Sequence, residues 1–181
     1  EVVDDLKSNN GGPAWTREDV FVFVFVTAIL AAFYYYGRPG FFRSKLWSDV
    51  GEVLTVSKGH EYYKLLPYMY WAVMSVVMRM VLPCLVIWFI LKDSIKEYGY
   101  RLIGVTNHAR IYLMLFVFMV PVVYIVSLTE SFQRKYPFYK QAALGLDHFV
   151  FYQLCYGVQF IALEAFFRGF MIFALYKRFG Y

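Results

Sequence analysis

Apolar residues in this chain come in long unbroken runs, with polar residues gathered between them. Val20 to Tyr36 carries no charge, and Tyr68 to Leu91, Ile111 to Leu128 and Phe149 to Leu175 follow the same pattern. At about 1.5 Å of rise per residue, even the first run, of 17 residues, is just long enough to cross the apolar layer of a bilayer. The first run opens Val20-Phe21-Val22-Phe23-Val24-Phe25-Val26, residue types that favour strands. A barrel strand alternates apolar with polar positions, whereas this run is apolar at every position. An isolated strand would also leave its backbone unpaired in lipid, so a helix is predicted. The pattern therefore predicts an all-α polytopic membrane helix bundle. Its membrane domain spans residues 20–181, with transmembrane helices at about 20–36, 68–91, 111–128 and 149–175, after a polar N-terminal segment at 1–19. Pro83 and Pro121 fall inside their runs, and a kink is expected at Pro83. Amphipathic interfacial helices are expected around 45–54 and 92–98. Tyr34-Tyr35-Tyr36 closes the first run as an aromatic belt would.

The charged residues sharpen this picture by their placement. Only Arg79, Glu164 and Arg168 lie inside the four runs. A charge at the bilayer centre costs about 2.5–3.5 kcal/mol on insertion scales, so such residues face the bundle interior and take partners. Glu164 and Arg168 stand at i, i+4, on one helix face, where they can pair. Arg79 is open to two readings: a contact with Glu164 across helices, or a long stem reaching an interface. Tyr152, Tyr156 and Gln159 share a face of the fourth helix and are candidates for interhelical hydrogen bonds. His60, His108 and His148 lie in or beside loops, where a polar tip at a wet boundary is the simplest role.

The segment around the paired charges reads Gln159-Phe160-Ile161-Ala162-Leu163-Glu164-Ala165-Phe166-Phe167-Arg168-Gly169-Phe170. It resembles the first signature motif of the CPBP family of intramembrane proteases, relatives of the type II CAAX prenyl endopeptidase. That motif reads Glu-Glu-x-x-x-Arg and often continues Phe-Arg-Gly. Phe167-Arg168-Gly169 matches its end, and Glu164 falls on the second glutamate. Leu163 stands where the family has its first glutamate, the base that acts on water. With Tyr136-Pro137-Phe138-Tyr139 upstream, the chain also resembles the myxosortase-like branch, where a single glutamate before Phe-Phe-Arg-Gly is usual.

The resemblance implies that the chain is the N-terminal part of an intramembrane glutamic protease in a bacterial inner membrane. It would cleave a membrane-anchored peptide substrate, with Glu164 as base and Arg168 orienting it. Histidines from two later helices would complete the site, and no cofactor or metal is implied. None of the three histidines matches a family histidine. The alternative, suggested by Leu163, is a non-catalytic transmembrane subunit that scaffolds other transmembrane proteins.

Composition agrees with lipid as the solvent. Of the 181 residues, 60% are hydrophobic and 22% aromatic, against 17% charged. A soluble domain is nearer 45–50% apolar and about 25% charged. The net charge of +5 lies in short connectors rather than in a basic stripe, which argues against a nucleic-acid partner. Lys and Arg divide evenly between the two sides, so the positive-inside rule leaves the orientation open. Cys84 and Cys155 sit within apolar runs without a metal-type neighbour and read as small buried apolar groups.

Overall fold

A computed structural model describes residues 17–53, 62–99 and 109–179. The expected polar segment at 1–19 lies almost wholly outside the described residues, as do His60 and His108. Every regular element among the described residues is helical. Four of them are long and apolar enough to cross a membrane: α1, Arg17–Tyr36; α3, Tyr63–Phe89; α4, Ala109–Ser127; and α6, Leu146–Tyr176. Short helices α2, Trp47–Val53, and α5, Glu130–Lys135, stand between them. The chain is an all-α membrane helix bundle; each span begins a few residues before the sequence-derived run, while α3 and α4 end slightly short of theirs, at Phe89 and Ser127.

The strand-like opening of α1 is helical because a helix satisfies its own backbone where lipid offers no partner. Its buried residues Val22, Ile29 and Phe33 turn inward. Val22 and Ile29 meet Val86 and Ile87 of α3 and Phe166, Phe170 and Ala174 of α6 in the main core cluster. Phe25 of α1 makes an edge contact with Phe170 at 5.6 Å between ring centroids. A second cluster joins the N-terminal half of α3 to the start of α6 through Leu65, Tyr68, Tyr139, Ala142 and Tyr152. The α3–α6 pair is the most extensive helix contact in the molecule.

Both major helices widen locally into π-helical turns, at Val77–Val81 in α3 and at Ala165–Met171 in α6. The cause in α3 is Pro83. Proline has no N–H for the carbonyl four residues earlier, that of Arg79, and its ring crowds that carbonyl. The turn opens to relieve this, and the Leu82 N–H reaches back to the Val77 carbonyl. The kink expected at Pro83 thus takes the form of a wide turn upstream of it. The two wide turns pack against each other.

Three details differ from the sequence-derived picture. The segment expected as an interfacial helix at 92–98 is a single 3-10 turn, Ile95–Tyr98. Lys92 takes a left-handed conformation at φ 54°, which stops α3 from continuing. The Tyr98 hydroxyl then donates to Asp93 Oδ2 at 2.7 Å, and its buried ring stacks on Phe170. Gly99 ends the turn at φ 78°, where a side chain would also meet the Phe173 ring at 2.8 Å. The other expected interfacial helix is present, as a π-helical turn Phe42–Leu46 running into α2. Finally, α4 buries none of its residues, so the bundle core is built from α1, α3 and α6.

This partition predicts unequal effects of truncation. Lipid is as apolar as the core, so removing a buried ring costs mainly the cavity it leaves. At ~24 cal/mol per Å³ over ~100 Å³, Phe170→Ala costs about 2 kcal/mol of bundle stability. Phe118→Ala, on the exposed α4, changes it by less than about 0.5 kcal/mol. Equilibrium unfolding of the purified protein in mixed micelles measures both.

Candidate functional site

Three polar clusters interrupt the apolar bundle, and each is held by a different local device. The first is the pair within α6. Arg168 Nε lies 2.7 Å from Glu164 Oε2, closing the i, i+4 ion pair that the sequence predicts. Glu164 is the last residue of the regular α-helical part, and Arg168 lies inside the wide turn that follows. The carboxylate is partly sheltered, at 31% side-chain exposure, whereas the guanidinium side chain is 79% exposed on the flank. Behind the pair, Phe166, Gly169 and Phe170 are buried and fix the turn against α1 and α3. Near the middle of an apolar span, the arrangement offers a partly sheltered carboxylate with one oxygen in an ion pair. Such a carboxylate can accept a proton from a water.

The second cluster surrounds Arg79, in the wide turn of α3. Of the two readings open from sequence, the cross-helix contact with Glu164 is not formed, since Glu164 is paired within its own helix. The guanidinium instead lies over the Phe33 ring of α1, 3.6 Å from its centroid. The residue is only 8% exposed, and its Nε and one terminal nitrogen are buried without a hydrogen-bond partner. A desolvated cation on an aromatic face gains about 2 kcal/mol, which offsets only part of its burial. Gly37 makes this stacking possible. A Cβ at that position would lie 2.5 Å from the Phe33 ring, so only glycine leaves the ring where it is.

Arg79 lines a cavity of about 820 Å³. Leu30 and Phe33 of α1 form one wall, Tyr68 and Trp71 of α3 another, and buried Gln159 of α6 contributes an amide. Arg38 and Arg43 stand at its rim, Arg38 over the Tyr34 ring at 5.0 Å. Arg43 donates from Nη2 to the Tyr68 hydroxyl at 3.1 Å, and that hydroxyl donates onward to the Phe138 carbonyl.

The third cluster corrects an expectation. His148 is a buried group, 2% exposed, rather than a polar tip at a wet boundary. Its Nδ1 lies 2.9 Å from the Tyr139 hydroxyl, which also donates to Gln141 Oε1 at 3.1 Å. The His148 ring also faces Tyr62 at 4.8 Å between centroids, and Tyr62 hydrogen-bonds Asp147. Tyr152, expected to bond across helices, packs instead as an aromatic wall against Tyr68 and Tyr139. Tyr156 packs its ring on Trp71 of α3. Cys84 and Cys155 are half-buried thiols outside any disulfide.

Sequence reasoning identified Glu164, Arg168 and Arg79 by their place in apolar runs. It missed Gly37, Phe33 and the rim arginines, although Arg38 and Arg43 stand just past the end of the first run. No protein-family model, characterised protein or solved structure matches this chain.

The Gly37–Phe33–Arg79 stack predicts that Gly37→Ala displaces the ring and uncovers the cation. The expected loss is about 1–3 kcal/mol, the range for inserting a carbon into a packed site. Thermal unfolding of Gly37→Ala beside Gly40→Ala checks it. Gly40 has open space where a Cβ would stand, so its substitution changes little.

Proposed function

We propose that the chain forms part of an intramembrane glutamic protease of the CPBP type, in the cytoplasmic membrane of a bacterium. The observation that carries the reading is the Glu164–Arg168 pair, an ion-paired carboxylate in mid-span within a Phe-Phe-Arg-Gly context. Peptide hydrolysis needs a water, a base to take its proton and donors for the developing oxyanion. In this reading Oε1 of Glu164 takes a proton from a water as the water oxygen attacks the scissile carbonyl, whose π pair moves onto its oxygen, and returns that proton to the amine as the carbonyl re-forms and the C–N bond breaks. Arg168 holds Oε2 and so fixes the direction of the other oxygen. In this reading the water and an extended, membrane-anchored peptide approach along the flank of α6 on which Arg168 is exposed. Leu163 stands where the broader family has the base that acts on water, so in this reading Glu164 takes that role.

A second reading rests on α4. This span is exposed along its whole length within the described residues, an apolar surface suited to another transmembrane helix. On that reading the chain scaffolds a larger membrane assembly.

The experiment uses the full protein in lipid vesicles with a set of membrane-anchored reporter peptides. Glu164→Gln lowers cleavage by about 10²–10⁴-fold, the usual worth of a general base, and leaves the unfolding temperature unchanged. Arg168→Lys, which keeps the charge but loses the planar donor, gives a smaller loss. Undiminished cleavage by Glu164→Gln refutes the proposal. A wild-type protein that cleaves no reporter and is recovered bound to other membrane proteins supports the scaffold reading.

A further inference from the structure

The cavity around Arg79 belongs to neither the Glu164–Arg168 pair nor the His148 cluster, and its chemistry is specific. Three arginines, Arg38, Arg43 and Arg79, line it, and no Asp or Glu does so among the described residues. Arg79, more than nine-tenths buried, lines it, and two of its guanidinium nitrogens have no hydrogen-bond partner. A guanidinium in this state lacks an anion, and its planar fork fits a phosphate or carboxylate.

Depth narrows the choice. Phe33, on which the guanidinium rests, lies one helical turn before Tyr36, the last residue of α1. One turn is about 5.4 Å. The Tyr70 hydroxyl of α3 donates to the Tyr36 carbonyl at 2.6 Å, which sets the end of α1 level with that part of α3. Arg38 and Arg43 follow immediately beyond. Arg79 lies nine residues further along α3 than Tyr70, about 13.5 Å deeper, and its side chain reaches back to the level of Phe33, while Arg38 and Arg43 stand at the boundary itself. This is the level of lipid phosphates. The rest of the lining is amphiphilic to match: Leu30 and Trp71 offer apolar walls, and Gln159 offers an amide. A free inorganic anion would leave those walls unused.

We propose that this cavity binds the phosphate of an anionic phospholipid, held by Arg79 below and by Arg38 and Arg43 at the rim, with an acyl chain along the Leu30 wall. The volume, about 820 Å³, exceeds a headgroup alone and accommodates the glycerol and the first part of a chain. The bound phosphate supplies the counter-charge that the protein does not, and it ties α1 to α3 at one membrane boundary. The site is independent of proteolysis at Glu164.

The test is lipid retention by the full protein, read by native mass spectrometry after exchange into nanodiscs of phosphatidylcholine with or without phosphatidylglycerol. Wild type retains phosphatidylglycerol in preference to phosphatidylcholine. Arg79→Gln lowers that retention by about ten- to a hundredfold, the worth of one charge-assisted contact. Arg38→Gln, an exposed change that leaves the bundle intact, lowers it by a smaller factor. This variant keeps the test informative if Arg79→Gln fails to fold. In phosphatidylcholine discs, added inorganic phosphate neither binds comparably nor raises the unfolding temperature. Equal retention of the two lipids, or retention unaffected by either substitution, overturns the proposal. Inorganic phosphate binding as well as phosphatidylglycerol overturns the lipid as the source of the anion.

Discussion

The rest of this structure depends on one constraint: a charge inside an apolar bundle must be given a partner by the fold itself. Water cannot solvate it there, and the helix backbone has already used its own donors and acceptors. Arg168 and Glu164 meet the constraint locally, one turn apart on a single helix. Arg79 meets it in part, through the face of Phe33 on another helix. The packing of α1 against α3 follows from that contact, since Phe33 is positioned by the absence of a side chain at Gly37 and covered by Arg79.

Both solutions occur where the helix is locally widened. Pro83 forces the wide turn in α3 by removing a donor, and Arg79 occupies that turn. In α6 the wide turn Ala165–Met171 begins directly after Glu164 and carries Arg168. Wide turns of this kind recur at functional sites because they shift side chains off the regular helical faces. Their mutual packing brings the carboxylate-bearing helix against the cavity-bearing helix. Within it, the sheltered carboxylate and the unpartnered guanidinium remain separate sites with different chemistries.

The four spans were legible because their apolar runs are long and nearly free of charge, a signal set by bilayer thickness alone. The Glu164–Arg168 pair was legible because i, i+4 spacing within one helix needs no tertiary information. Arg79 was legible as an anomaly but not as a contact: its partner lies on another helix, and neither Phe33 nor Gly37 carries a local mark. His148 was misjudged for a related reason. Its burial comes from Tyr139, which folds over it through the short turn Lys140–Ala143, and a histidine beside a loop usually stays wet. The segment 92–98 failed as a helix because Lys92 turns left-handed and Tyr98 plugs the core, choices made by packing. The separation of α4 from the core was not legible either, since its apolar run is as regular as the other three.

The central claim is that the charged pair in α6 serves chemistry rather than holding the bundle together. A double-mutant cycle on Glu164→Gln and Arg168→Gln separates the two roles most directly, with stability and reporter cleavage measured on the same four proteins. An ion pair with one largely exposed partner adds little to stability. Small, near-additive effects on unfolding are therefore expected, together with strongly non-additive losses of cleavage, as for residues acting as a unit. A large coupling in unfolding, with cleavage untouched or additive, would contradict the claim.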